Sequence, residues 1–318
     1  MRRAALLWLG IAVTVVFTYL AVRNAHLSEV RDALRNSNQL WLLPALAVLA
    51  VAVWLRAVRW WSLFARETRP PLAAVTRALL IGYFFNNVLP LRAGEAARIV
   101  ALNREAGTSR AETVATAVLE RVYDVLALLL LLFAMLPWLP DVTWLRAAAV
   151  FGAIVALGAL AAVVALMRFG HRPLHFVLRP LGRLPRLDAA RIERSALNLE
   201  QGLAGLRHPE IALPAALWTV LSWLVVGVSA WLVALGFDLG VSLSPLAGIF
   251  VIITINLALV LPSSPAAVGV FEAATLLALD AYGISESRAL SYAVVLHALN
   301  FLPFIAVGVW LVRRARLR

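Results

Sequence analysis

The stretch Ile81–Leu132 places charged side chains inside otherwise apolar sequence, and this restricts the possible folds more than any other feature of the chain. A charge at the depth of the bilayer core costs about 2.5–3.5 kcal/mol, so such residues usually line a cavity or pair with each other. One polar cluster surrounds the break Leu89-Pro90, and it consists of Asn86, Asn87, Arg92, Glu95 and Arg98. A second cluster precedes the leucine run 128–132, and it consists of Glu120, Arg121 and Asp124. We expect the rest of the chain to form walls around this stretch.

The composition is typical of a polytopic membrane protein. Of 318 residues 63% are hydrophobic and 14% are charged, and the mean hydropathy is +0.87. All 29 basic residues are arginine, which excludes lysine Schiff-base chemistry but favours forked contacts to phosphate. The net charge of +12 does not indicate nucleic acid, because the arginines gather in short segments between apolar runs, as topology signals do. With no cysteine and five scattered histidines, the sequence predicts neither a metal site nor a cofactor.

The apolar runs predict an all-α polytopic membrane protein with about six full transmembrane helices. The predicted spans are 4–22, 40–55, 108–136, 142–167, 211–236 and 287–312. The first is expected to be uncleaved, and 23–39 to be a polar loop outside the membrane. The arginines and tryptophans at 56–61 are predicted to form an interfacial anchor, and the basic segment 168–208 an amphipathic helix on the inner leaflet. Arginine bias places both termini in the cytoplasm of a bacterial-type inner membrane.

Two stretches interrupted by Leu-Pro, 72–107 and 245–284, are predicted to be re-entrant or broken helical hairpins that enter from opposite faces. Each contains an asparagine, then Leu-Pro, then a glycine and a glutamate, which suggests an inverted repeat. The predicted organisation is a single membrane domain over 1–318. Its parts are a first span and outer loop (1–39), a first repeat (40–140), a connecting span with the basic segment (141–210) and a second repeat (211–318).

The first broken stretch is a candidate site for an anionic lipid headgroup. Backbone groups freed near Pro90 and Pro262 are tolerable in a membrane only where they line a wet cavity. Arg92 and Arg98 are predicted to hold phosphate by forked hydrogen bonds, and Glu95 to orient Arg98 when the site is empty. The alternative is that these are ordinary charges at the inner interface.

On the helix predicted from Thr108, four polar residues share one face, with Arg121 beside it. They are Thr113, Thr116, Glu120 and Asp124. We expect this face to point inward. Its charged group is either a substrate-gated ion network, a proton site, or a self-contained pair that locks helix packing.

The second broken stretch supplies further candidate site residues, Ser263, Ser264 and Glu272, and the last span adds His297 and Asn300. For His297 and Asn300, an interhelical hydrogen bond competes with a ligand role. The sequence contains no phosphate-binding glycine loop, zinc motif or serine elbow, so no catalytic residue is predicted.

At these residues the chain resembles the lysylphosphatidylglycerol synthase transmembrane-region family. The resemblance lies in Asn-x-x-x-Pro-x-Arg-x-Gly-Glu-x-x-Arg at 86–98, Glu-Arg-x-x-Asp at 120–124 and Leu-Pro-x-x-Pro…Gly-x-x-Glu at 261–272. It covers roughly 40–312 and implies lipid translocation on an inverted-repeat helical fold. One departure is Ser263-Ser264-Pro265-Ala266-Ala267, which stands where related sequences tend to read Pro-Gly-Gly.

The leading hypothesis is therefore a flippase-like transporter of an anionic or headgroup-modified lipid, of the phospholipid or polyprenyl-phosphate type, with membrane lipids as partners and no nucleic acid. The alternative is a membrane subunit or partner of a lipid-modifying transferase in an aminoacyl-lipid, lipid-sugar or hopanoid pathway. A structural scaffold would explain the spans but not the inward charges.

Overall fold

The computed structural model describes residues 2–89, 93–140, 209–239, 241–259 and 265–316, together with isolated positions between 147 and 168. Within these residues the chain forms ten α-helices and no strand. The helices are α1 (Arg2–Val22), α2 (Leu27–Asn36), α3 (Leu42–Ser62), α4 (Leu72–Val88), α5 (Gly94–Ala106), α6 (Arg110–Met135), α7 (Pro209–Leu235), α8 (Pro245–Ala258), α9 (Val270–Asp280) and α10 (Glu286–Arg316).

The predicted class, an all-α polytopic membrane protein, is confirmed. In the described parts of the chain, three helical segments are long and apolar enough to cross a bilayer, and they are Gln39–Ser62, Glu210–Leu235 and Glu286–Arg314. Helix α6 has 26 residues, about 39 Å at 1.5 Å per residue, but carries its charged cluster at mid-length. Most of the expected span 142–167 and nearly all of the basic segment 168–208 lie outside the described residues, so the count of six spans stays a prediction.

Helix α3 continues seven residues beyond the predicted end of its span, and the expected interfacial anchor at 56–61 is wrong for its central residues. Arg59 and Trp60 are 1% and 0% exposed. Trp60 belongs to an apolar cluster with Phe64, Val75 and Leu79, and carboxylates of α6 neutralise Arg59. The helix continues because these interactions satisfy residues that the sequence alone placed at a membrane boundary.

The segment 23–39 is also not a loop throughout, because it contains α2. Val30 and Leu34, one turn apart, pack against the main apolar core. Glu29, Arg31 and Asp32 are exposed. A short amphipathic helix needs only such a narrow apolar stripe, and the density of polar residues concealed it.

Two helical hairpins occur where the broken stretches were predicted, α4 with α5 and α8 with α9. Helix α4 has 17 residues and α8 has 14, about 26 Å and 21 Å, so each is shorter than the roughly 30 Å apolar core of a bilayer. In the first hairpin, the side-chain oxygen of Asn86 accepts a hydrogen bond from the Gly94 N–H at 2.8 Å, which caps the start of α5. A Cβ at Gly94 would overlap the Gly82 carbonyl oxygen, so only glycine permits this helix approach.

The ends of both hairpins meet the middle of α10. The Asn87 side chain donates to the Phe301 carbonyl oxygen at 3.4 Å, and His297 contacts the Ala266 carbonyl oxygen at 3.0 Å. Helix α4 also packs against the turn Pro265–Ala267. The first and second broken stretches are therefore neighbours in space.

Candidate functional site

Six charged side chains from α3, α5 and α6 form one connected group, which we call the charge network. Its members are Arg59, Glu95, Arg98, Glu120, Arg121 and Asp124. Glu120 is its centre. Its carboxylate oxygens lie 2.6 Å from Arg59, 2.9 Å from Arg98 and 3.1 Å from Arg121. Three arginines and three carboxylates balance in formal charge.

Asp124 lies one helical turn after Glu120, makes a second contact with α3 and joins α7 to the network. Its Oδ1 accepts hydrogen bonds from Arg59 of α3 at 2.5 Å and from the Trp223 indole of α7 at 3.0 Å. Arg121 approaches its Oδ2 at 3.5 Å. Helices α3, α6 and α7 are therefore fixed to one another through a single carboxylate.

Arg98 connects the first hairpin to the spans. It is 2% exposed, pairs with Glu95 of its own helix at 2.6 Å, and lies over the Trp60 ring with its guanidinium carbon 4.6 Å from the ring centre. The predicted pairing of Glu95 with Arg98 one turn later is thus present. The predicted contact of Arg98 with phosphate stays a prediction, since its guanidinium binds carboxylates in this structure.

The buried arginines retain hydrogen-bonding capacity. The Nε–H groups of Arg59 and Arg98 have no acceptor among the described residues. Buried donors are satisfied in most native structures, so each unsatisfied one calls for an explanation. An oxygen-rich ligand reaching the network would find donors already in place.

Two arginines in this region, Arg121 and Arg56, are not fully buried. Arg121 keeps 48% of its side chain exposed. Arg56, one turn before Arg59 on α3, stacks on the Trp223 ring at 4.5 Å and lies 3.5 Å from the Tyr83 hydroxyl. Within the described residues no carboxylate lies within 4 Å of Arg56, so its charge adds to a group that is otherwise neutral.

The predicted inward face of α6 is confirmed. Thr113, Thr116, Glu120 and Asp124 are all buried, and Arg121 lies beside them with partial exposure. Trp60 donates its indole N–H to the Thr116 hydroxyl at 3.1 Å, which extends the polar contacts of this face toward the first turns of α6.

Among the remaining candidate residues, Arg92, Ser263 and Ser264 lie outside the described residues. Asn300 donates its amide to the Leu296 carbonyl oxygen of its own helix at 2.8 Å. The interhelical bond considered for it is therefore not made by that amide nitrogen.

Glu272 and His297 form a separate pair between α9 and α10. His297 Nδ1 faces Glu272 Oε1 in a short hydrogen bond, and Glu272 Oε2 accepts the Gly269 N–H at 2.6 Å. The interhelical hydrogen bond expected for His297 is present. Among the described residues no group of three histidine, aspartate or glutamate side chains has a metal-binding arrangement.

Sequence reasoning missed Arg56, Arg59 and Trp223. A usable signal existed, because two carboxylates one turn apart on a buried face need more than one cation. The pair Arg56 and Arg59, spaced by three residues directly after an apolar run, offers cations on one helical face.

Together these features define an all-helical membrane protein in which the first helical hairpin contributes to a buried charge network and the ends of both hairpins meet at α10. The chain belongs to the lysylphosphatidylglycerol synthase transmembrane-region family, which it matches over residues 7–308.

Three curated relatives are similar to the chain. Glycosyltransferase AglD of Haloferax volcanii is 29% identical over 94% of this chain and 53% of its own length. A UPF0104 membrane protein of Methanothermobacter thermautotrophicus is 24% identical over 88% of this chain and 87% of its own. Another, of Methanocaldococcus jannaschii, is 23% identical over 71% and 91%. The chain therefore spans only about half the length of the glycosyltransferase.

Proposed function

We propose that this protein moves a phosphate-bearing lipid across the membrane. The observation that carries the proposal is the charge network with Arg56 beside it. At membrane depth, a cation without a carboxylate is costly unless it serves a ligand or reaches water. Arginine presents a planar fork that matches phosphate oxygens.

The network also provides a way to release the ligand. Arg121 is held by three carboxylate contacts, each between 3.1 and 3.7 Å, so an arriving phosphate competes with acceptors that are not at optimal distance. When the phosphate leaves, Glu95 and Asp124 remain to neutralise Arg121. Substrate exchange therefore never leaves the arginine unpaired, and the energetic barrier to movement stays low.

The geometry of the hairpins supports a path for the headgroup. Both hairpin ends meet the middle of α10, and helix ends within a membrane supply polar backbone groups that only a protein-lined cavity can accommodate. We place both termini in the cytoplasm and the protein in the cytoplasmic membrane, following the distribution of arginine. Membrane lipids with anionic headgroups are the proposed partners.

Arg92 belongs to this proposal on sequence grounds. It follows Pro90 closely in a family motif and is predicted to grip phosphate with its fork. Arg92→Lys keeps the charge and removes the fork, so we expect a folded protein with most of its transport lost.

A second candidate function is the membrane part of a lipid-modifying transferase or its partner. The glycosyltransferase AglD favours it, since this chain aligns with about half of that protein. In that case the charge network would bind the lipid for a reaction carried out by a separate domain or protein.

Purified protein in liposomes separates the two candidates. Three fluorescent lipids are tested separately without nucleotide, and they are phosphatidylglycerol, its lysyl ester and a polyprenyl phosphate. For each lipid, dithionite is added outside the liposomes, and the fraction of the fluorescence that it reduces is followed over time. The proposal predicts that, for at least one phosphate-bearing lipid, fluorescence of the inner leaflet is lost faster than in empty liposomes. For a neutral glycolipid, the rate should equal that of empty liposomes. Rates equal to empty liposomes for all three would overturn it and favour the transferase reading.

A further inference from the structure

The Glu272–His297 pair, outside the charge network, has a hydrogen-bonding pattern that fixes its proton content. His297 Nε2 lies 3.0 Å from the Ala266 carbonyl oxygen, which can only accept, so Nε2 carries a hydrogen. His297 Nδ1 then faces Glu272 Oε1 at hydrogen-bonding distance. Without a hydrogen between them, a nitrogen lone pair and a carboxylate oxygen would repel.

The contact therefore needs one more proton, shared between Nδ1 and Oε1. With this proton the pair is either imidazolium with carboxylate or imidazole with carboxylic acid, and in both cases its net charge is zero. Without the proton the net charge is −1 in a site where the His297 ring stacks on Phe271 at 4.4 Å and contacts Phe301 at 4.2 Å. Aromatic walls disfavour that charge.

Other titratable groups do not take over this role. The elements packed against α9 and α10 are α1, α2, α3, α4, α7 and α8. The other described titratable side chains of these helices and of α9 and α10 are Tyr19, Glu29, Arg31, Asp32, Arg35, Arg56, Arg59, Arg77, Tyr83, Glu210, Asp280, Glu286, Arg288, Tyr292, Arg313 and Arg314. None of these forms a hydrogen bond or ion pair with Glu272 or His297.

The pair holds a strained turn, which here comprises residues 265–269 directly before α9. Ala266 and Ala267 have φ angles of 59° and 56°, and Gly269 has 83°. Residues with a Cβ rarely adopt such angles, and they persist where surrounding contacts enforce them. Here His297 binds the Ala266 carbonyl and Glu272 binds the Gly269 N–H, so both ends of the turn are tied to the pair.

We propose that Glu272 and His297 form a proton-binding site that latches the turn of the second hairpin to α10. With the proton bound, the turn is held in its left-handed conformation. When the proton leaves to water, the two acceptors repel, the pair separates, and the turn relaxes away from α10.

This step rests on the proposed lipid transport. Together with it, the latch couples proton binding and release to lipid movement. The turn lies against α4 of the first hairpin, so its release changes the space between the two hairpin ends. A proton gradient would then drive lipid movement in one direction.

The latch can be tested without transport. Because the chain has no cysteine, Val268→Cys and Leu302→Cys can carry a pair of nitroxide labels, at positions 45% and 62% exposed on the turn and on α10. Double electron–electron resonance between about pH 5 and pH 10, a range that spans ordinary histidine titration, should show a longer distance at high pH. An unchanged distance in this background would overturn the proposal.

Glu272→Gln is the decisive variant. Its amide N–H can donate to Nδ1 of the neutral imidazole while its oxygen still accepts the Gly269 N–H, which reproduces the latched state with no proton to lose. Its spin-label distance should stay short across the whole range. Glu286→Gln, an exposed change at the start of α10, should titrate like the parent. Titration of Glu272→Gln in parallel with the parent would contradict the assignment, and if that variant does not fold the parent measurement decides alone.

Liposomes with an imposed proton gradient separate the latch from the proposed function. An equal rate of lipid movement with and without the gradient would refute proton coupling but would not contradict lipid transport. A titrating distance in a protein that moves no lipid would support the proton site and count against the proposed function.

Discussion

Glu120 is the residue on which the charge network depends most. It is 1% exposed and accepts from arginines of three helices, α3, α5 and α6 itself. Removing one member of a buried ion pair typically costs about 3–5 kcal/mol, because the partner's charge stays buried without compensation. The network is therefore both a candidate binding site and a strong constraint on helix position.

A double-mutant cycle measures this dependence. Glu120→Gln and Arg59→Gln should each lower the free energy of unfolding by about 3–5 kcal/mol. The loss in the double variant should be smaller, by about 0.5–3 kcal/mol, than the sum of the losses in the two single variants, since each change removes the other's partner. Unfolding by sodium dodecyl sulfate in mixed micelles, followed by circular dichroism, gives the values.

The exposed pair Arg77 and Glu105 provides the matched control. Their side chains are 46% and 32% exposed, so the same cycle should give a coupling of about 1 kcal/mol or less. Equal coupling in both cycles would show that Glu120 reaches water and that the network does not lie at depth.

At this scale the sequence predicted one helix face well and its partners poorly. Thr113, Thr116, Glu120 and Asp124 follow from the 3.6-residue period of a single helix. Arg59 could not be assigned the same way, because its contacts with α6 join residues 61 and 65 positions apart. Charge at the end of an apolar run resembles a topology signal whether or not a distant carboxylate neutralises it.

At the scale of helices, the two breaks were predictable because Leu-Pro and neighbouring glycines leave a strong local signal. The first hairpin also needs Gly82 and Gly94 where its helices approach closely. Helix α2 was missed because its stability comes from docking of Val30 and Leu34 on the core rather than from local propensity.

Two alanines in the turn of the second hairpin, Ala266 and Ala267, adopt the left-handed backbone that glycine would adopt freely. The left-handed conformation costs an L-residue about 1–2 kcal/mol, and glycine loses about 0.5–1 kcal/mol to backbone entropy. Ala266→Gly or Ala267→Gly should therefore raise the free energy of unfolding by about 0.5–1 kcal/mol.

The same substitution at Ala273, inside α9, is the control for this prediction. Glycine in a helix interior is less favourable than alanine by about 1 kcal/mol, so Ala273→Gly should destabilise the protein. The three variants are compared by the same detergent unfolding. Destabilisation by Ala266→Gly to the extent of Ala273→Gly would show that the turn is not strained.

At the scale of the whole molecule, hydrogen bonds group the connecting segments on two sides. The Asn38 N–H donates to the Gly236 carbonyl oxygen at 2.8 Å, and the Asn24 side chain donates to Glu286 at 3.0 Å. On the other side, Thr68 bonds Glu112 at 2.5 Å. The ends of α3 and α7 near 38 and 236 therefore share a side, opposite the segment 63–71.

Single-cysteine labelling tests this arrangement. Asp238→Cys should react with an impermeant maleimide added outside intact cells, whereas Arg66→Cys should react only after permeabilisation, since both positions are exposed. Labelling of both from the same side would contradict the topology.

The order of the spans follows from hydropathy. The packing that brings the two hairpin ends together depends on contacts between residues more than 200 positions apart in the sequence, so it could not be derived.

The most direct test of lipid transport at the charge network compares Arg56→Gln with Arg66→Gln in the liposome assay. Both changes remove one arginine charge from the protein, but Arg56 lies against Trp223 beside the network and Arg66 is exposed in the segment 63–71. With equal protein per vesicle and matched melting temperatures, Arg56→Gln should lose most of the phosphate-lipid movement and Arg66→Gln should keep it. Equal rates for Arg56→Gln and the wild-type protein would contradict the account.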